Sequence, residues 1–189
     1  MKIAELKYKE ECDKPVQYSD IKEHLPTLKK YTEECSHVTE MGMRSIVSTW
    51  AFMVGLPDKL VSYDIDNPPK DRLILAMKAA MELRIDFSFR KEDVLKANIE
   101  ETDLLFIDTL HRASQLREEL RLHAGKVRKY IIMHDTHTFG EKGEDNNHQP
   151  TIKDDGLLTA LNEFLNSHKE WEIKEVYKNN NGLTILKRK

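Results

Sequence analysis

Cysteine is scarce. Cys12 and Cys35 are the only two, too few for a disulfide scaffold or a cysteine-based zinc site. Free thiols in a reducing, cytoplasmic compartment are the expectation. Long apolar runs are missing as well. No stretch approaches the ~18–20 residues that cross a bilayer, and Met1 to Glu11 lack the apolar centre of a signal peptide. Positive charge is not in surplus: 30 Lys and Arg stand against 33 Asp and Glu, a net charge of −3. Proteins that live on nucleic-acid phosphates carry a clear basic excess. Neither a membrane nor a nucleic acid is therefore expected as a partner, and the tail Lys187-Arg188-Lys189 reads as solvation. Also absent are G-x-S-x-G, G-x-x-x-x-G-K-[ST], C-x-x-C and H-E-x-x-H. Acyl hydrolysis, P-loop ATPase activity, thiol redox chemistry and zinc proteolysis lose their usual local signatures.

What is present suits one globular core. The chain has 189 residues, 39% hydrophobic and 33% charged, enough for a sizeable core and too short for two ordinary domains. Residues 1–36 read as a charged helical segment in which Ser19-Asp20 could cap and Pro26 should break or restart a helix. From residue 37 to 189 the texture alternates. Strand-like runs are expected at His37–Met41, Lys59–Asp64, Leu83–Phe89, Asp103–Asp108, Tyr130–Met133, Trp171–Tyr177 and Leu183–Leu186. Helical periodicity follows Ser48, then Pro68-Pro69 (Leu73, Met77, Met81), then Ala113 (Leu116, Leu120, Ala124), then Leu157 (Leu158, Leu161, Leu165). Leu104-Leu105-Phe106-Ile107, unbroken between two aspartates, suits a strand buried on both faces. Asn181-Gly182 between two strand-like runs signals a hairpin, because the favoured turn needs positive φ at both central positions. The expectation is an α/β fold: a doubly wound, mostly parallel seven-stranded sheet with a C-terminal antiparallel hairpin.

In such sheets ligands sit beyond the carboxyl ends of the strands. Those ends carry Glu40-Met41-Gly42, Asp64, Asp93, Asp108 and His134-Asp135. Gly42 lets a ligand approach the backbone or simply turns the chain into the next helix, where Ser48 and Thr49 could cap or donate. Asp64 lies 24 residues after Glu40. That spacing suits ribose hydroxyls, and a helix cap before Asn67-Pro68 is the plainer reading. Asp108 and Asp135, at the ends of adjacent buried strands, would face one cleft, where a carboxylate pair is costly without a cation, a proton or a donor. Oxygen-rich clusters suit Mg²⁺ or Mn²⁺, with His134 as a nitrogen ligand or base; helix and loop capping is the alternative. His111 and His137 sit within three residues of those acids and are either proton acceptors or loop residues. His123, His148 and His168 read as surface. The polar stretch from Thr136 to Asp155, with Phe139-Gly140 and Gly143, is too long for a tight connector and reads as a lid or as disorder.

Taken together, the segments resemble a known family. Val38-Thr39-Glu40-Met41-Gly42 with Ser48-Thr49 is similar to motif I of class I S-adenosylmethionine (SAM)-dependent methyltransferases, in the variant of cephalosporin-hydroxylase-like and sugar or macrolide O-methyltransferases. Leu105-Phe106-Ile107-Asp108-x-x-His111 resembles that group's FIDxxH segment, Ile131 to Thr136 its HDT segment, and Asn181 to Leu186 its closing strand. The resemblance spans about Val38 to Arg188. It implies a Rossmann-like methyltransferase fold and SAM as cofactor. Glu40, Gly42 and Ser48 would lie near the methionine part, Asp64 at the ribose and Asp93 near the adenine. Asp108 would serve both the cofactor and, with His134 and Asp135, a divalent metal. The implied chemistry is methyl transfer to a hydroxyl of a small molecule or sugar, with His111 or His134 as base; a homo-oligomer is compatible with it. The family's turn usually carries a second glycine about four residues after the first, where this chain has Ile46. A β-branched residue there is expected to crowd the cofactor or force a different turn. The alternative is thus a catalytically inactive binding or scaffold domain. A nicotinamide-dependent oxidoreductase fits less well, since G-x-G-x-x-G is missing.

Overall fold

The computed structural model describes residues 1–144 and 155–189. The N-terminal segment forms α1 (Ile3–Asp13), two 3-10 turns and α2 (Leu25–Thr32), with Pro26 in the first turn of α2, where a missing N–H costs nothing. Ser19 ends the first 3-10 turn and Asp20 lies between the two, so neither caps a helix. Then come β1 (His37–Met41), α3 (Ser48–Val54), β2 (Lys59–Asp64), α4 (Lys70–Leu83), β3 (Asp86–Lys91), β4 (Thr102–Ile107), α5 (Ala113–His123), β5 (Val127–His134), α6 (Leu157–Ser167), β6 (Trp171–Tyr177) and β7 (Leu183–Arg188). No helix among the described residues is long and apolar enough to cross a membrane.

The strands form one seven-stranded sheet in the order β3-β2-β1-β4-β5-β7-β6. β1 to β5 pair in parallel, and β7 runs antiparallel to both β5 and β6. The order reverses between β1 and β4, and that reversal is where a doubly wound sheet opens a crevice. Successive residues of the central strands feed two cores. Leu104 and Phe106 face the layer built by α1 to α4, while Leu105 and Ile107 face α5 and α6. α1 and α2 share the first of these cores through Ala4, Leu25, Leu28 and Tyr31.

One boundary and one burial differ from the pattern. Leu83 belongs to α4, which ends on Arg84 at φ 62°, so β3 starts only at Asp86. His123, expected at the surface, is 1% exposed and its Nε2 lies 2.8 Å from the Val94 carbonyl oxygen; the last turn of α5 is roofed by the loop after β3. The hairpin turn behaves as its residues require, with Asn180, Asn181 and Gly182 all at positive φ.

Candidate functional site

The end of β1 is built around a close approach. Gly42 turns the chain at φ +91°, and a Cβ there would lie 1.8 Å from the backbone oxygen of Asp108. What glycine admits is therefore the chain leaving β4. The Gly42 N–H donates to the Tyr63 carbonyl (2.9 Å) and the Asp108 N–H to that of Met41 (2.9 Å), so the ends of β1, β2 and β4 are tied together. Asp64 holds the same turn: its Oδ2 accepts from the Arg44 N–H (2.7 Å) and its Oδ1 from the Asp66 N–H (2.9 Å). Ile46 takes the left-handed conformation at φ 60°, which is costly for a β-branched residue. Its side chain is 0% exposed and packs in the core with Trp50, away from the cleft. Of the two expectations for Ile46, crowding of a ligand or a different turn, the side chain does not line the cleft and the backbone adopts a left-handed turn.

Glu40 lies beneath this turn and is fully buried. It accepts hydrogen bonds from Ser48 Oγ (2.5 Å), Thr49 Oγ1 (2.9 Å) and Ser62 Oγ (2.5 Å). Burial pushes its carboxyl up to about 7, and the three hydroxyls only partly offset that. Ser48 is thus committed to Glu40.

The ends of β4 and β5 hold a charged cluster. Asp135 stands at φ 60° just past β5, and its Oδ2 lies 2.8 Å from His111 Nε2 and 3.2 Å from His134 Nδ1. Asp108 Oδ1 lies 3.3 Å from His134 Nδ1 and 3.5 Å from His111 Nε2. Burial opposes charge on all four groups, yet their mutual hydrogen bonds prevail. Both histidines are raised to about 10, and both aspartates are held below the ordinary carboxylate range. His134 is fixed from behind: its Nε2 donates to the Asp20 (3.1 Å) and Asn180 (3.2 Å) carbonyl oxygens. His111 is stacked on Phe139 at 4.8 Å, and its Nδ1 lies 3.0 Å from Glu144 Oε2.

The donor set fits a divalent cation. One ligand atom each from Asp108, His111 and Asp135 lies within 4.8 Å of the others. Asp135 Oδ1 is buried with no hydrogen-bond partner among the described residues, and a cation would satisfy such an orphan. His134, expected as the third ligand, stands behind the two carboxylates, and His111 occupies the front.

From this cluster a cleft of about 580 Å³ runs along the strand ends past Gly42 and Asp64 to Asp93, a size usual for a small-molecule site. Ile65 (65% exposed) and Leu110 (42%) give it apolar walls. The structure thus brings Gly42, Asp64, Asp93, Asp108 and His111 to one surface, with Asp135 and His134 directly behind. Glu40 and Ser48 lie below the floor, and His137 is exposed on the hairpin side, its N–H donating to the Asn181 carbonyl (2.9 Å). Of the polar segment 136–155, residues 136–144 close over His111; the rest of that expected lid, with His148, lies outside the described residues. Sequence reasoning missed Glu144, the Asp20 and Asn180 carbonyls that accept from His134, and Gln115 and Glu119 on α5. A glutamate at i+4 from a glutamine on a helix is a common pattern, and only the fold shows that Gln115 lines the cleft with Glu119 buried behind it.

No protein-family model matches the chain, and no curated protein matches its sequence. Solved structures do match in shape. A Klebsiella pneumoniae protein proposed to be an O-methyltransferase aligns over 98% of this chain and 89% of its own, with a TM-score of 0.62 and 15% identity. The 1,6-didemethyltoxoflavin-N1-methyltransferase of Burkholderia thailandensis, with its substrate and S-adenosylhomocysteine bound, aligns over 87% of this chain and 77% of its own (TM-score 0.62, 12% identity). An O-methyltransferase from Bacillus cereus in complex with SAH aligns over 88% and 81% (TM-score 0.58, 15% identity). These likenesses, together with the strand order and the closing hairpin, establish that the chain has the class I, Rossmann-like methyltransferase fold.

Proposed function

We propose that the chain transfers the methyl group of SAM to a hydroxyl oxygen of a small molecule or sugar, assisted by Mg²⁺ or Mn²⁺. One observation carries the reading: the cleft at the strand ends joins the Asp64–Asp93 stretch to the Asp108–His111–Asp135 cluster. The nucleoside would lie between Ile65 and Leu110, its ribose toward Asp64 and its base toward Asp93. The sulfonium would face Asp108 across the Gly42 turn, where negative charge favours it. Glu40 and Ser48 act from below, holding the floor of the turn.

Asp108 and Asp135 would hold the cation, which supplies a lowered pKa to the acceptor hydroxyl and orients it. His111 Nε2 faces the same point and takes the hydroxyl proton. The methyl carbon leaves sulfur for that oxygen, and the sulfonium becomes a thioether. Positive charge brought to the two carboxylates competes with the imidazole proton and returns His111 to its accepting form. His134 supports the carboxylates from behind. The scaffold reading rested on Ile46, and with that side chain in the core no observation favours it. Isothermal titration with SAM and S-adenosylhomocysteine tests the proposal. Binding of both, tightened for the acceptor site by Mn²⁺, is expected; silence at millimolar ligand, with and without metal, refutes it.

A further inference from the structure

We propose that Gln115, locked in one orientation by the buried Glu119, reads the amino edge of the cofactor's purine and rejects nucleosides that lack it. The inference rests on the methyl-transfer reading of the cleft and adds a specificity residue and a positioning residue to it.

Gln115 stands in the first turn of α5, is half-buried, and lines the cleft beside Asp93, Val94 and Leu110. One turn on, Glu119 is 0% exposed and close enough to Asp93 to feel its charge. Glu119 Oε1 receives two donors, Gln115 Nε2 at 2.8 Å and Thr109 Oγ1 at 2.6 Å. Its Oε2 has no hydrogen-bond partner among the described residues. Glu119 also borders a small pocket of about 10 Å³ next to His111 and His134, room for one water.

This asymmetry fixes the amide. If Glu119 is ionised, both of its oxygens only accept. If it is neutral, the proton belongs on Oε2, which has no partner among the described residues, while Oε1 accepts from the Thr109 hydroxyl. Either way Oε1 accepts, so Gln115 must turn its NH₂ toward Glu119 and its own Oε1 away, toward the cleft. The cleft wall therefore offers a fixed acceptor. Asp93, the other acid at this end, is engaged by its own loop: Oδ1 accepts from the Leu95 N–H (3.0 Å) and Oδ2 lies 3.2 Å from Lys96 Nζ. A 6-aminopurine presents an N–H donor on its edge, which a fixed acceptor pairs. A 6-oxopurine presents a second acceptor there, which the same wall repels.

The test is calorimetric binding to the full chain of S-adenosylhomocysteine and of S-inosylhomocysteine, which carries a 6-oxo group in place of the 6-amino group. The wild type should prefer the adenosyl ligand roughly tenfold. Gln115→Met keeps the shape and removes the acceptor; it should weaken the adenosyl ligand, tighten the inosyl ligand, and bring the preference to within about twofold. Glu119→Gln frees the amide to flip and should cut the preference to below roughly threefold. An unchanged preference in Gln115→Met, equal weakening of both ligands, or a wild type that binds the two alike overturns the assignment while leaving methyl transfer standing. A wild type that binds neither sinks the methyl-transfer reading, and this inference with it.

Discussion

The end of β1 and the ends of β4 and β5 lie side by side in the sheet, and each takes carboxylates out of water. They settle the charge in opposite ways. Under β1, Glu40 is surrounded by three hydroxyls and apolar side chains, so its carboxyl titrates near 7. One strand over, Asp108 and Asp135 face two imidazoles and stay ionised to well below the ordinary range. Hydroxyls solvate a carboxylate without neutralising it, whereas an imidazolium does both. The β1 end is consequently a floor that holds a turn and sheds much of its charge near neutral pH. The β4–β5 end keeps its negative charge aimed at the cleft, where a cation or sulfonium can exchange for the histidine protons. The same residue chemistry gives a structural site in one place and, in the proposed reaction, a reactive one in the other.

The largest effect should come from breaking the charged end. Asp135→Asn preserves a residue that tolerates φ 60° and removes the carboxylate shared by His111 and His134. The two imidazoliums are then left to share Asp108, with Glu144 reaching only His111, a loss of roughly 3 kcal/mol by chemical denaturation at neutral pH. Mn²⁺ binding, read from the loss of the free-ion EPR signal, should disappear in the same variant. A variant as stable as the wild type that still takes up Mn²⁺ would erase the contrast between the two ends.

The neutral end gives a pH signature. A carboxyl raised from about 4.5 to about 7 in the folded state contributes stability that is fully present below 4.5 and lost as pH rises through 7. For Glu40 the loss is about 3 kcal/mol across that window. Glu119, also raised to about 7 by burial, adds a second loss in the same range. The histidines act higher up: raised to about 10, they contribute stability that is whole below 6.5 and declines as pH climbs toward 10. Glu40→Gln should therefore flatten the acid-side decline by about half while leaving the alkaline limb in place, as thermal or urea melts from pH 4.5 to 10 would show. Loss of the alkaline limb in that variant would mean the two ends are one coupled unit.

The architecture was legible because each signal is local and periodic. Four apolar residues between Asp103 and Asp108 suit a strand covered on both faces, and Asn181-Gly182 carries its turn in its backbone preferences. The strand-end rule then located Asp64, Asp93, Asp108 and Asp135. The roles within the site were harder to read, because they depend on which way a side chain leaves the strand. Glu40 and Gly42 are two residues apart, yet one points into the layer of α3 and the other touches β4. His111 and His134 both neighbour the acids in sequence, and only the third dimension puts His111 in front and His134 behind, held by carbonyls from Asp20 and Asn180. Those partners lie 114 and 46 residues away, so no local spacing marks them.

The finest distinction concerns the turn on the neutral side. Ile46 holds φ 60° with its side chain wholly buried, so its two physical contributions oppose each other. Burying an isoleucine is worth roughly 2–5 kcal/mol against alanine, and the left-handed backbone costs roughly 1–2 kcal/mol for a residue with a Cβ. Ile46→Ala loses the packing and keeps the cost; Ile46→Gly loses the packing and sheds the cost. Glycine should therefore be the milder substitution, by about 1 kcal/mol in urea melts, the reverse of their usual order in regular structure. Neither variant alters charge, so the metal affinity of the Asp108–Asp135 end should hold in both. If alanine proves the milder change, the turn carries no backbone strain, and the isoleucine at the second-glycine position costs the fold nothing.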